Sequence, residues 1–114
     1  MTTPFPLRPA VSAGEWLAVS GQVGIKDGAL ADGAQAQTAQ ALVNLRAVIE
    51  ENGATLQDVV KTNVFLVSMD DFAVMNEEYA KVFATDPPAR AVTKLGVELP
   101  SFLVSIMMTA HVAD

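Results

Sequence analysis

The sequence predicts an α+β fold: a mixed β-sheet with two long helices on one face. Three observations predict it. Two segments carry apolar residues at helical spacing, three or more others are short, apolar or β-branched runs of strand length, and the two kinds are interspersed along the chain. With 114 residues and no stretch polar enough to separate two cores, residues 1–114 are expected to form one domain.

The elements follow in order. Glu15 to Gln22 is short and apolar and is closed by Gly21, which reads as a buried strand meeting a bend. Val23 to Leu30 carries Lys26-Asp27-Gly28 between apolar pieces, the signal of a hairpin. Asp32 and Gln35 have capping-box spacing, and Thr38, Ala41, Leu42, Leu45, Val48 and Ile49 then mark a helical stripe, with Gln37, Gln40, Asn44 and Glu51 on the polar face. Asn52-Gly53 supplies the left-handed stop. After a turn over Thr55 to Asp58, the β-branched run Val59 to Val67 is a central strand. Ser68 and Asp71 repeat the capping spacing before a second stripe of Phe72, Met75, Tyr79, Val82 and Phe83, which Pro87-Pro88 is expected to end. Two last strands, Ala91 to Leu99 and Leu103 to Val112, are broken at Pro100-Ser101. Met107 and Met108 make the final strand apolar at nearly every position, which calls for burial on both faces or in a subunit contact. The coarse order is β-β-α-β-α-β-β, and the sheet face without helices needs a partner.

Composition makes the same demand. Apolar residues are 51% of the chain and charged residues 18%, against about 25% charged in an average soluble domain. A chain this small hides only about 60–70% of its unfolded surface, so the excess hydrocarbon calls for self-association. The net charge of −6 sets 13 acids against seven bases spread singly along the chain. Without a basic stripe, a nucleic-acid partner is not expected. The absence of cysteine removes disulfides and thiolate chemistry. Met1 to Pro9 lacks a signal-peptide pattern and no apolar run approaches the length of a membrane span, so no membrane association and a cytoplasmic location are expected.

Counting removes most catalytic constellations. His111 is the one histidine and has no second imidazole or thiol for a zinc site, so no metal is expected. Ser20 is not in a Gly-x-Ser-x-Gly elbow, and Gly21 and Gly24 complete no phosphate cradle, so no cofactor is expected either. What remains is Pro88-Ala89-Arg90, an arginine between a proline pair and an apolar strand. It has two readings: an ion pair with one of the 13 acids, or a planar grip on a ligand carboxylate. Ser20-Gly21 also has two: it closes a bend, or it presents a hydroxyl and an uncrowded amide to a ligand.

The motifs Ser20-Gly21-Gln22-Val23-Gly24, Gln40-Ala41-Leu42-Val43-Asn44-Leu45, Asn52 to Thr62, Asp71 to Tyr79 and Pro88-Ala89-Arg90, in this order, resemble the RidA/YjgF family of reactive enamine/imine deaminases. The resemblance spans nearly the whole chain. It implies a chorismate-mutase-like α+β fold, a homotrimer with ligand clefts between subunits, and hydrolysis of 2-imino acids to 2-oxo acids and ammonia. The family arginine that holds the substrate carboxylate falls at Arg90, and Ser20 and Gly21 fall in the same cleft. Three positions depart from the family pattern: Leu7 stands where a tyrosine is usual, Val92 where a cysteine is, and Ser105 where a glutamate is. Leu7 and Val92 would widen and grease the substrate pocket. Ser105 can hold a catalytic water only without charge. Two functions stay open, an imine deaminase of altered substrate range and a non-catalytic relative that binds or senses a carboxylate metabolite in the cleft.

Overall fold

A computed structural model describes residues 6–96 and 101–112. Strands β1 (Ala10–Ala13), β2 (Trp16–Gln22), β3 (Ile25–Lys26) and β4 (Ala29–Leu30) precede the helix α1 (Ala34–Glu51). After it come β5 (Val59–Leu66), α2 (Phe72–Val82), β6 (Ala89–Lys94) and β7 (Val104–His111). Five strands form one sheet in the order β1-β2-β7-β5-β6, and β3 and β4 make a separate hairpin. Only β5 and β6 run parallel; the other pairs are antiparallel, so the sheet is mixed as expected.

Both helices cover one face. Ala41, Leu42, Leu45 and Ile49 of α1, with Met75 and Tyr79 of α2, enclose a core with Leu17 and Val19 of β2, Val64 and Leu66 of β5, and Val104, Ile106, Met108 and Ala110 of β7. The alternation of β7 is strict. Met108 is 1% exposed in that core, whereas Met107 is 38% exposed on the opposite face, and Trp16 there is 50% exposed. The expectation of burial for both methionines therefore holds within one chain for Met108 alone.

Several boundaries differ from the sequence reading for local reasons. β1 is an edge strand that the sequence did not announce, because Ala-Val-Ser-Ala is too short to show alternation. The start of α1 uses no Asp32–Gln35 box: Gly33, at φ 89°, is the N-cap and no side chain caps it. Gln37, expected on the polar face, is 2% exposed; its Nε2 donates to the carbonyls of Ala31 and Ser101, and its Oε1 accepts from Leu103 N–H. One side chain thus ties the hairpin exit and the entry to β7 onto α1. Asn44 does the same nearby, donating to the carbonyls of Val23 and Ile25.

The stop at Asn52-Gly53 is as expected, with Gly53 at φ 83°. Ser68 caps a 3₁₀ turn over Met69–Asp71 by accepting from Asp70 N–H, and α2 begins only at Phe72. Pro87-Pro88 does not end α2, which stops at Val82 when Phe83 leaves helical geometry and turns back into the core. β6 starts at Ala89 rather than Ala91 and ends at Lys94, short of the expected Leu99, since Leu95 and Gly96 have left the strand; residues 97–100, with Pro100 of the expected break, lie outside the described residues. No helix among the described residues is long and apolar enough to cross a membrane.

Candidate functional site

The parallel pairing of β6 with β5 sets Arg90 beside Thr62 and Val92 beside Val64. Partners in register share a face, so Arg90 and Val92 point to the helix side of the sheet. Val92 packs against the core there, while the half-buried Arg90 reaches under α2. Its guanidinium carbon lies 4.7 Å from the centre of the Tyr79 ring and 5.9 Å from that of Phe72. Its Nη1 donates to Asn76 Oδ1 at 2.7 Å. Among the described residues Arg90 pairs with no carboxylate; the salt bridges there are Arg46–Glu50, Lys81–Glu78 and the contact of His111 with Glu15.

Phe72, Asn76 and Tyr79 were not singled out as site residues. Their spacing of four and three places them on one side of α2, but Phe72 and Tyr79 already belong to the core stripe and Asn76 carries no signal of its own in the sequence. Only the register of β6 on β5 shows that this side of the helix overhangs an arginine. The Tyr79 hydroxyl bonds to the buried Thr62 hydroxyl at 2.8 Å. Burial pushes this phenol above its ordinary pKa, against the opposing influence of the Thr62 bond and the Arg90 charge.

The other candidates gather elsewhere. Ser20 and Gly21 together oppose Met107 at a bulge between the Val19 and Gln22 pairs, which interrupts the β2–β7 ladder. Ser20 Oγ donates to the Arg8 carbonyl at 2.6 Å, and Ser20 N–H to the Pro9 carbonyl, so its hydroxyl proton is engaged while its oxygen can still accept. Those bonds lay the segment containing Leu7, exposed at 64%, against the bulge. Ser105 is next to Gly21: a Cβ built on Gly21 would stand 2.8 Å from Ser105 Oγ. Gly21 therefore leaves room over that hydroxyl. Leu7, Ser20, Gly21 and Ser105 form one group and Arg90 with Asn76, Phe72, Tyr79 and Val92 another.

Two surface clefts, of about 720 and 470 Å³, contain neither group. His111 packs edge-on against Trp16 at 4.8 Å and sits 3.3 Å from Glu15. Among the described residues no cluster of three or more His, Cys, Asp or Glu is arranged around a metal position.

A family model described as Endoribonuclease L-PSP matches residues 3–112. The chain belongs to the RidA/YjgF family. A RutC family protein of Pyrococcus horikoshii is 38% identical over 114 residues, covering 95% of this chain and 90% of that protein. The crystal structure of RidA from an Antarctic Psychrobacter superposes with a TM-score of 0.90 at 32% identity, over 97% of this chain and 92% of the other. The YjgF gene product of Escherichia coli superposes with a TM-score of 0.89 at 28% identity, over 96% and 90%. The mixed sheet with two helices on one face is thus the fold of YjgF-family structures, and a RidA-like function is the frame for the two residue groups.

Proposed function

We propose that this protein hydrolyses reactive 2-enamine/2-imino acids to 2-oxo acids and ammonia, in clefts between the copies of a homotrimer, with Arg90 holding the substrate carboxylate. One observation carries the reading. Arg90 is half-buried, its contacts among the described residues are the neutral Asn76 and two aromatic rings, and its charge there is left for an anion. A planar guanidinium meets a carboxylate through two parallel N–H bonds. The chemistry asks for little more: water adds to the electrophilic iminium carbon, the C–N bond breaks, and the nitrogen leaves as ammonium while the carbon becomes a ketone. Holding substrate and one water together supplies most of the rate.

The two residue groups fit a cleft built from two copies, Arg90 from one and Leu7, Ser20, Gly21 and Ser105 from its neighbour. Exposed Val11, Trp16 and Met107 give the helix-free side an apolar surface for such an assembly. Against an RNA substrate stands the net charge of −6, with its bases spread singly.

Ser105 favours a second reading. A neutral hydroxyl orients water less strongly than a carboxylate, so the same cleft suits a carboxylate-binding or sensing relative without turnover. The test generates 2-iminopropanoate with an amino-acid oxidase in the presence of semicarbazide, which intercepts free imine. Wild type diverts imine to 2-oxo acid and ammonia and slows semicarbazone formation, and Arg90→Ala does not. Equal rates with tight 2-oxo acid binding by wild type establish the binding role, and neither activity nor binding removes both.

A further inference from the structure

We infer that Tyr79, fixed by Thr62, is a positioning residue that makes Arg90 present its Nε–Nη2 edge to a carboxylate. The inference rests on the proposed role of Arg90 and specifies how that side chain is aimed. Arginine on an edge strand has many rotamers, and a ligand that must order them binds more weakly. Here three contacts order them beforehand. Thr62 and Arg90 are direct partners across the parallel β5–β6 pair, so both side chains rise side by side beneath α2. Tyr79 descends from α2 onto the pair, and its hydroxyl, buried with the residue, bonds to Thr62 Oγ1 at 2.8 Å. That bond sets where the ring lies. The guanidinium carbon then lies over the ring, 4.7 Å from its centre, so the aromatic surface limits where the side chain can swing.

Asn76, one turn before Tyr79, takes the Nη1 edge at 2.7 Å. Among the described residues no side-chain hydrogen bond reaches Nε or Nη2. Those two groups carry the parallel N–H pair on the side-on edge of a guanidinium, the geometry that a carboxylate fills with two bonds. Asn76 competes for Nη1, whereas both N–H groups of the Nε–Nη2 edge have no side-chain partner among the described residues, so that edge is the one a carboxylate fills with two bonds.

The experiment titrates full-length protein with pyruvate and follows the Arg90 Nε–Hε signal by NMR beside calorimetric affinity. In wild type the Hε resonance moves downfield as the carboxylate binds. Tyr79→Leu removes the platform and weakens pyruvate binding about tenfold, the effect of a partly desolvated cation–π contact. Thr62→Val frees the ring and weakens it about threefold, a fraction of the full contact, while Thr62→Ser restores the hydroxyl and wild-type affinity. Should Tyr79→Leu fail to fold, the Thr62→Val and Thr62→Ser pair decides the question. Folded Thr62→Val protein with wild-type affinity and an unchanged Hε response overturns the inference, provided Arg90→Ala has lost pyruvate binding. If Arg90→Ala still binds pyruvate as wild type does, the proposed function falls and this inference with it.

Discussion

Arg90 and Ser105 point to opposite faces of the sheet. Arg90 is in register with Thr62 and Ser105 with Phe65, three residues apart on the β5 strand that lies between them. Because strand side chains alternate, an odd offset means opposite faces, and a single copy cannot close both around one small ligand. A shared cleft needs two copies, which makes a mixing experiment informative. Arg90→Ala and Ser105→Leu, the latter filling the space above Gly21, should each fail to bind pyruvate alone. Co-refolded together they should regain part of the binding, since some clefts combine the intact half of each chain. Mixtures as inactive as either parent would place both residues in one chain's own site or in none.

Adjacent methionines separate folding from assembly. Met108 belongs to the core and Met107 to the exposed face. A charge buried without a partner costs several kcal/mol, so Met108→Glu should leave the chain unfolded by circular dichroism. Met107→Glu should keep the fold and lose the association, giving single-chain mass in sedimentation equilibrium where the proposed trimer would give three times that mass. A trimeric Met107→Glu protein would move the subunit contact off this face.

The amphipathic stripes made most of this fold legible. The α1 stripe, the β-branched run of β5 and the Asn52-Gly53 stop were all visible, because each depends on local periodicity, local composition or one residue's backbone freedom. What periodicity cannot show is a polar side chain that points inward to serve loops distant in sequence. Gln37 looks like the solvent face of α1, yet its partners lie at Ala31, Ser101 and Leu103. Similarly, Arg90 stood out as a candidate, but Asn76 and Tyr79 became its neighbours only through the β5–β6 register. Gln37→Leu should therefore cost about 2–4 kcal/mol in urea unfolding, since it strands two carbonyls and one N–H near the core. Gln57→Leu, exposed and without a side-chain hydrogen bond among the described residues, should stay within about 0.5 kcal/mol. Equal effects at the two positions would show that the three bonds contribute nothing.

Acid should expose the Glu78 pairing. The Glu78 carboxyl is held below its ordinary value, first by the hydrogen bond from Lys81 and then by that from Gln35, whose Nε2 lies 2.8 Å away on α1. A depressed folded pKa means that the unfolded chain binds the proton more readily. The contribution is complete above the unfolded carboxylate range, about pH 4–5, and is lost as pH falls through the lower folded value. Glu78→Gln should accordingly be less stable than wild type at pH 6, with the gap narrowing as pH falls below the ordinary carboxylate range. A gap independent of pH would assign the effect to packing, and high salt should narrow it because Lys81 is exposed.

Gly21 and Gly24 look equivalent in the Ser-Gly-Gln-Val-Gly motif but face different neighbours. A Cβ on Gly24 would lie 2.5 Å from Gln37 Cα and 2.6 Å from its carbonyl oxygen, both backbone atoms of α1 that cannot rotate aside. The Cβ of Gly21 would meet only Ser105 Oγ, a side-chain atom free to change rotamer. Gly24→Ala should destabilise by about 1–3 kcal/mol through forced displacement of α1, and no change at Ser105 should relieve it. Gly21→Ala should cost less than about 1 kcal/mol, and combining it with Ser105→Ala should remove that cost in a double-mutant cycle. Ligand affinity should respond the other way round, with Gly21→Ala weakening pyruvate binding in protein that melts near the wild-type temperature, because its methyl group fills the space beside Ser105 rather than the helix–sheet contact. If Gly21→Ala melts low and binds normally when folded, Gly21 serves the bend alone and the Ser20–Gly21 bulge drops out of the cleft.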